Sequence, residues 1–260
     1  MIYRTIDMEN WRTEKSFSEW TNTPLWDSHI HLCAGEVPEV AKHSIALASW
    51  LPGDPKTSLL NQIRGWRTEH PETPVLLNAS SPAEFKSAMD ELWFPGVGEL
   101  NIRKRWEYGV VTDAVDGIWQ LALTLDKPIY VHWDMDSDDQ AHDLNGVLNE
   151  NPQHKILLCH LGCSSELTDE QNLKAVSRFA ALQRNHPNLW GDISWGTLDL
   201  VEKFPTTLTE LDKNRILCGS DLCRLREGSV QAEHRRDQLL RMEDKIDTAK
   251  NIGIFFNRIF

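Results

Sequence analysis

The sequence predicts an α/β fold: a single (β/α)8 TIM barrel over residues 25–260, behind a short N-terminal extension, 1–24. Three observations predict it. The chain has 260 residues, close to the size of one such barrel. Short β-branched or apolar runs alternate with amphipathic segments, the rhythm of βαβ units around a parallel sheet. The apolar runs number eight, and no internal repeat or low-complexity linker divides the chain. A doubly wound sheet shares this alternation, and strand counting leaves it open.

The first run, LWDSHIHL at 25–32, sets His29 and His31 on one face and Ile30 and Leu32 on the other, because successive strand side chains alternate. A short crossover, AGEVPEVAKH, leads towards SIALASWL at 44–51, and PVLLNA at 74–79 is the third strand. A helix over 82–93 precedes VGELNI at 97–102, and another over 112–125 precedes PIYVHW at 128–133. KILLCHL at 155–161 is the sixth strand. TDEQNLKAV then opens a helix over 168–185, with Thr168 as N-cap and an acidic first turn. LWGDIS at 189–194 and RILCGSD at 215–221 complete the strands, and a helical segment from 229 onward closes the chain.

Polar residues gather at the C-terminal ends of these strands, where both candidate folds place their chemistry. His29 and His31 lie near the end of the first, Glu99 on the fourth, His132 on the fifth, His160 on the sixth and Asp221 on the eighth. Such side chains are costly in strands unless each is paired or bound to a metal. Taken singly, each has an ordinary reading. Glu99 suits a helix cap or a partner for Arg103, Asp221 suits an N-cap, and His132 and His160 suit packed core positions. Asp27 reads as structural, and Asp192 as structural or in contact with substrate. The run Asp134, Asp136, Asp138 and Asp139 reads as solvated loop or helix cap. Cys159 and Cys163 flank His160 without the spacing of a thiolate site.

Together, H-x-H followed by Glu, His, His and Asp on successive strands resembles the amidohydrolase superfamily of metal-dependent barrel enzymes. HLG after the sixth strand, DIS in NLWGDISWG, GSD at the eighth and the closing NIGIFFNRIF are similar to its amidohydrolase-2 branch. The likeness runs from Trp26 to Phe260. It departs from other branches in offering Glu99 where they carboxylate a lysine. The resemblance implies a divalent transition metal, Zn²⁺ first, with Mn²⁺, Fe²⁺ and Co²⁺ as alternatives suited to the same imidazole and carboxylate donors. In a two-ion arrangement, His29, His31 and Asp221 would hold one ion and His132 and His160 the other, with Glu99 bridging. A one-ion arrangement takes His29, His31, His132 and Asp221, and frees His160 as an acid or base.

The implied reaction is hydrolysis of an amide, lactone or other carboxylic ester in a small molecule, with Asp221 and His160 as catalytic groups. A nonoxidative decarboxylase of the same branch is the nearest rival. A TatD-like phosphodiesterase or nuclease and a non-catalytic metal-binding barrel are the others. Net charge is −12, from 39 acidic and 27 basic residues, so no nucleic-acid partner is expected. Arg103 and Arg224, in loops at the barrel mouth, and Trp133 are candidate substrate contacts; a paired guanidinium would suit an anionic substrate. No apolar run approaches the roughly 20 residues of a membrane span. Five cysteines without a C-x-x-C pair, and an N-terminus without a signal-peptide pattern, lead us to expect a cytoplasmic protein. Self-association is compatible with all of this.

Overall fold

The structure is a computed structural model that describes residues 26–31, 43–48, 75–77, 81–91, 94–102, 113–221 and 229–256, with the single positions 64 and 68. Its strands are β1 (Trp26–His31), β2 (His43–Ala48), β3 (Val75–Leu77), β4 (Val97–Asn101), β5 (Ile129–His132), β6 (Ile156–Leu158), β7 (Leu189–Ile193) and β8 (Ile216–Cys218). They form one sheet in the order β1-β2-β3-β4-β5-β6-β7-β8, and every adjacent pair is parallel. A doubly wound sheet reverses its strand order at a switch point, so sequential order excludes it. Among the described residues no strand ladder joins β8 to β1, so the closed barrel expected from the sequence is not shown.

The two ends of the sheet nevertheless touch. Asp221 N–H donates to His29 O at 2.7 Å. The buried Asp27 carboxylate accepts from Ser220 N–H at 2.8 Å and Ser220 Oγ–H at 2.5 Å. It also accepts from His29 N–H at 3.1 Å. Burial pushes the Asp27 carboxyl up to about 6, against the pull of these hydrogen bonds. Gly219 lies so near β1 that a Cβ there would stand 2.4 Å from His29 Cβ and 2.6 Å from His29 N.

Alternation along the strands divides the core into two layers. Val75, Leu77, Ile129, Val131, Ile156 and Leu158 pack on one side, with Phe85, Leu144 and Phe179 from the helices. Leu76, Tyr130, Leu157, Trp190 and Leu217 face the other side. There they meet Ile252, Phe255 and Phe256 of the last helix or its end. Each such side chain contributes about 1.5–3 kcal/mol when fully buried. The last helix is anchored at strand starts. Asn251 Nδ2 donates to Ile216 O, and Lys155 Nζ to Phe255 O. This apolar plug occupies the N-terminal end of the sheet and leaves the C-terminal end to the polar residues.

The helices are α1 (Pro82–Glu91), α2 (Asp113–Thr124), α3 (Asp138–Glu150), α4 (Asp169–Asn185), α5 (Gly196–Lys203), α6 (Ser229–Glu243) and α7 (Thr248–Phe255). Thr168 caps α4 in a capping box with Gln171, as its sequence requires. The closing segment is not one helix: α6 stops at Glu243, and Asp247 caps α7 by accepting from Lys250 N–H. The sixth strand ends at Leu158, short of the expected 161, because His160 and Leu161 turn left-handed at φ 55° and 53° inside a 3-10 turn. The N-terminal extension, the first crossover, and Arg103 and Arg224 lie outside the described residues. Among those described, no helix is long and apolar enough to cross a membrane.

Gly219→Ala should destabilise the fold by about 1–3 kcal/mol, the usual cost of forcing a methyl into a packed site. Urea unfolding measures it. A wild-type midpoint would show that the contact between β1 and the end of β8 has slack.

Candidate metal centre

Alternation along β1 sends His29 and His31 to the same side, where their Nε2 atoms lie 3.2 Å apart. Asp221, three residues beyond β8, holds φ 57° and brings Oδ1 to 2.8 Å from His31 Nε2 and 3.3 Å from His29 Nε2. From β4, Glu99 Oε2 reaches 3.2 Å from His31 Nε2 and 3.6 Å from His29 Nε2. The other Glu99 oxygen, Oε1, faces His132 Nδ1 at 2.8 Å and His160 Nε2 at 3.5 Å. One carboxylate therefore stands between two pairs of imidazoles.

The structure brings all six sequence-expected donors together. They fall into two donor groups that share Glu99: His29, His31, Glu99 and Asp221, and then Glu99, His132 and His160. The donor chemistry and spacing fit a cation. Zinc–nitrogen and zinc–oxygen bonds of 2.0–2.2 Å put tetrahedral ligand atoms about 3.3 Å apart. In the first group, the two Nε2 atoms lie 2.8 to 3.6 Å from each other and from the Glu99 and Asp221 oxygens. A third donor group, His29, Cys159 and Asp192, is wholly buried. Its chemistry differs, because burial pushes the Cys159 thiol well up and keeps it protonated.

Charge in the cluster is balanced tightly. Burial alone would raise the Glu99 carboxyl, but hydrogen bonds with His132, His160, His29 and His31 hold it well below its usual range. Burial would likewise raise Asp221, yet the nearby His29 and the His31 hydrogen bond bring it down to about 2. The histidines mirror this. Burial favours their neutral forms, but Asp221 and Glu99 lift His31 to about 9, and Asp134 and Glu99 lift His132 to about 10. The carboxylates stay ionised and call for positive charge, which protons or a metal cation can supply.

A second tier of side chains sets the directions of the first. Asp192, fully buried on β7, accepts from His29 Nδ1–H at 2.6 Å through Oδ2. Its Oδ1 accepts from His160 N–H at 2.7 Å and from Ser194 Oγ–H at 2.6 Å. With its own proton given to Asp192, Ser194 Oγ can only accept from His160 Nδ1–H, 2.7 Å away. Both rings thus keep a proton on Nδ1 and turn Nε2 to the cluster, where a cation can replace a proton. Asp192 was ambiguous in sequence, and Ser194 carried no signal beyond its place in DIS.

Other expectations land differently. Asp134 is buried, with Oδ1 3.4 Å from His132 Nε2, whereas Asp136, Asp138 and Asp139 are exposed. Trp133, a candidate substrate contact in the sequence, is buried in the core and donates its indole N–H to Gln140 O. The aromatic beside His160 is Trp195, which sequence reasoning missed. Trp195 adopts φ 46° and ψ −122°, a conformation that costs a non-glycine residue on the order of 1–3 kcal/mol.

No curated protein matches the chain. Among solved structures, it is similar to a probable 2-pyrone-4,6-dicarboxylic acid hydrolase from Acinetobacter baumannii with citric acid bound. The TM-score is 0.62 at 12% identity, covering 90% of this chain and 100% of that one. An amidohydrolase from Burkholderia multivorans with bound zinc gives 0.59 at 15% identity, covering 90% and 99%. A 5-carboxyvanillate decarboxylase from Novosphingobium aromaticivorans, complexed with manganese and a nitrobenzoic acid, gives 0.50 at 13% identity, covering 82% and 76%. At these identities the likeness is one of fold. The amidohydrolase family profile matches residues 66–249, well over half of the chain, and the protein belongs to that family.

Proposed function

We propose that the protein is a metal-dependent hydrolase on a closed (β/α)8 barrel, cleaving an amide, lactone or other carboxylic ester bond in a small organic molecule. The observation that carries this reading is Glu99, whose two oxygens face two separate histidine pairs. That arrangement supports two ions, Zn²⁺ first among the candidates. His29, His31, Asp221 and one Glu99 oxygen would hold one, and His132, His160 and the other oxygen the second. His132 stands in the second donor group and not the first, which speaks against the one-ion set.

A divalent ion held there supplies positive charge that polarises the scissile carbonyl and lowers the pKa of a bound water to about 7. The chain's residues do the rest. Asp221, kept ionised, accepts the proton of the attacking water and returns it to the leaving group. Asp192 and Ser194 hold the Nδ1 protons of His29 and His160, so neither ring can turn away. The leucine, isoleucine and phenylalanine layer beneath excludes water from the far side. Arg103 and Arg224 are the candidate grips for a substrate carboxylate. Decarboxylation is the second reading, favoured by the fold shared with a manganese-containing decarboxylase. It needs no attacking water, and its proton goes to carbon.

Calorimetric titration of metal-free protein with Zn²⁺ should saturate near two equivalents. Protons should be released at pH 7, because neighbouring carboxylates push His31 up to about 9 and His132 up to about 10, so both carry a proton that the metal must displace. The sign follows: affinity should rise with pH up to about 10. His29→Ala/His31→Ala should lose at least one equivalent, and undiminished metal content would refute the ligand assignment. A panel of lactones, amides and aromatic carboxylates then separates the reactions, with CO₂ release marking the lyase.

Asp221→Asn keeps the shape of the side chain but cannot take up a proton. Its kcat should fall roughly 10²- to 10⁴-fold, the usual worth of acid–base catalysis, with metal content reduced less. A wild-type kcat with metal bound would end the hydrolytic role given to Asp221.

A further inference from the structure

Trp195 sits where its side chain is a burden. Its φ of 46° and ψ of −122° are those of the first central position of a type II′ turn, a position that favours glycine. The chain's glycine comes one residue later, at Gly196. The turn is fixed at both ends. Thr197 N–H donates to Ser194 O at 3.1 Å, and Ser194 N–H donates to Thr197 Oγ1 at 2.9 Å. Ser194 is itself bound to Asp192 and His160. Strain of this kind persists only where surroundings overdetermine it, and it collects at functional positions.

The indole stands edge-on to the His160 imidazole, with ring centroids 6.4 Å apart and planes at 66°. It lines a cavity of about 360 Å³ between the segments that follow β6 and β7, and His160 lines the same cavity. That volume is at the small end of ligand pockets. Several of the polar side chains around it are engaged elsewhere. Asn172 bonds the backbone of Ser164 and Leu167, Lys203 pairs with Asp169, and Asp199 binds Arg235 and Gln238. The apolar surface left for a ligand is the flat indole with Leu167 and Leu200, beside the exposed Ser165.

We propose that this cavity is the subsite for a planar, unsaturated ring of the substrate, and that Trp195 is its specificity-determining wall. The strained turn holds the indole upright beside His160, so a ring lying against it carries its reacting substituent to the cluster. This rests on the metal-centre reading, which supplies that cluster with its cation.

The test uses metal-loaded protein, calorimetric Kd values and metal content measured on the same samples. Acetate reaches the cluster alone, benzoate adds a planar ring and cyclohexanecarboxylate adds a puckered one. Wild type should bind benzoate about tenfold more tightly than acetate, and more tightly than cyclohexanecarboxylate. Trp195→Gly and Trp195→Ala should each lose about that tenfold for benzoate and none for acetate, and Trp195→Phe should keep most of it. In thermal unfolding, Trp195→Gly should be the more stable of the two small variants, reversing the usual order, because glycine alone relieves the turn. Equal binding of benzoate and acetate by wild type, unchanged benzoate affinity in Trp195→Gly, or an alanine variant at least as stable would each overturn the proposal. A wild type that takes up no metal would instead fail the metal-centre reading, and the measured metal content tells these failures apart.

Discussion

One buried carboxylate organises the site. Asp192 is fully buried, and three protein donors meet its two oxygens: His29 Nδ1–H, Ser194 Oγ–H and the amide of His160. A carboxylate so enclosed would ordinarily be driven to protonate; the charge of His29 beside it keeps it below its usual range instead. Because an ionised carboxylate only accepts, the protons on its neighbours are fixed. With Nδ1 committed, His29 Nε2, and through Ser194 also His160 Nε2, face Glu99 and Asp221, where a cation can take the place of a proton. The donor groups inherit their directions from β7, a strand that contributes no donor to the two groups sharing Glu99.

Backbone strain collects at the same end of the sheet. Among the described residues, the non-glycine positions with positive φ are Asp126, His160, Leu161, Trp195 and Asp221. All but Asp126 follow the C-terminal ends of β6, β7 or β8, and three of them are the cluster's His160 and Asp221 and the cavity's Trp195. Regular strand ends would carry these side chains past the centre; left-handed turns fold them back over it. The apolar layer at the opposite end, with Phe255 and Phe256 of the closing segment against Tyr130 and Trp190, holds the strands while their other ends are bent.

Much of this was legible in the sequence, and the pattern of what was not has a physical basis. Eight apolar runs and the strand-end donors could be read because strand periodicity and the cost of buried charge are local properties. Thr168 announced α4 for the same reason. The lengths of β6 and β8 could not be read, since a 3-10 turn at Cys159–Gly162 and the bend at Asp221 depend on contacts with β7 and β1, far away in the chain. Asp134 looked like its neighbours in an acidic run, yet only the fold decides that it is buried beside His132 while Asp136 is not. Trp133, a candidate substrate contact in the sequence, is buried in the core, while no local pattern marked Trp195 as the aromatic beside His160. Closure of the sheet between β8 and β1 stays a proposal, carried by the Asp27–Ser220 and His29–Asp221 hydrogen bonds.

The most direct measurement is the metal affinity of Asp192→Asn, determined by competition against a chelating indicator in protein whose folding is confirmed by circular dichroism. Asparagine offers one acceptor oxygen where three donors converge, and its amide N–H groups would face donors. If Asp192 directs the histidine lone pairs, affinity should fall by about 10- to 100-fold, the usual effect of removing such a supporting partner, with every donor still present. Wild-type affinity in a folded Asp192→Asn would contradict the account, because the histidines would then find the metal without the carboxylate said to aim them.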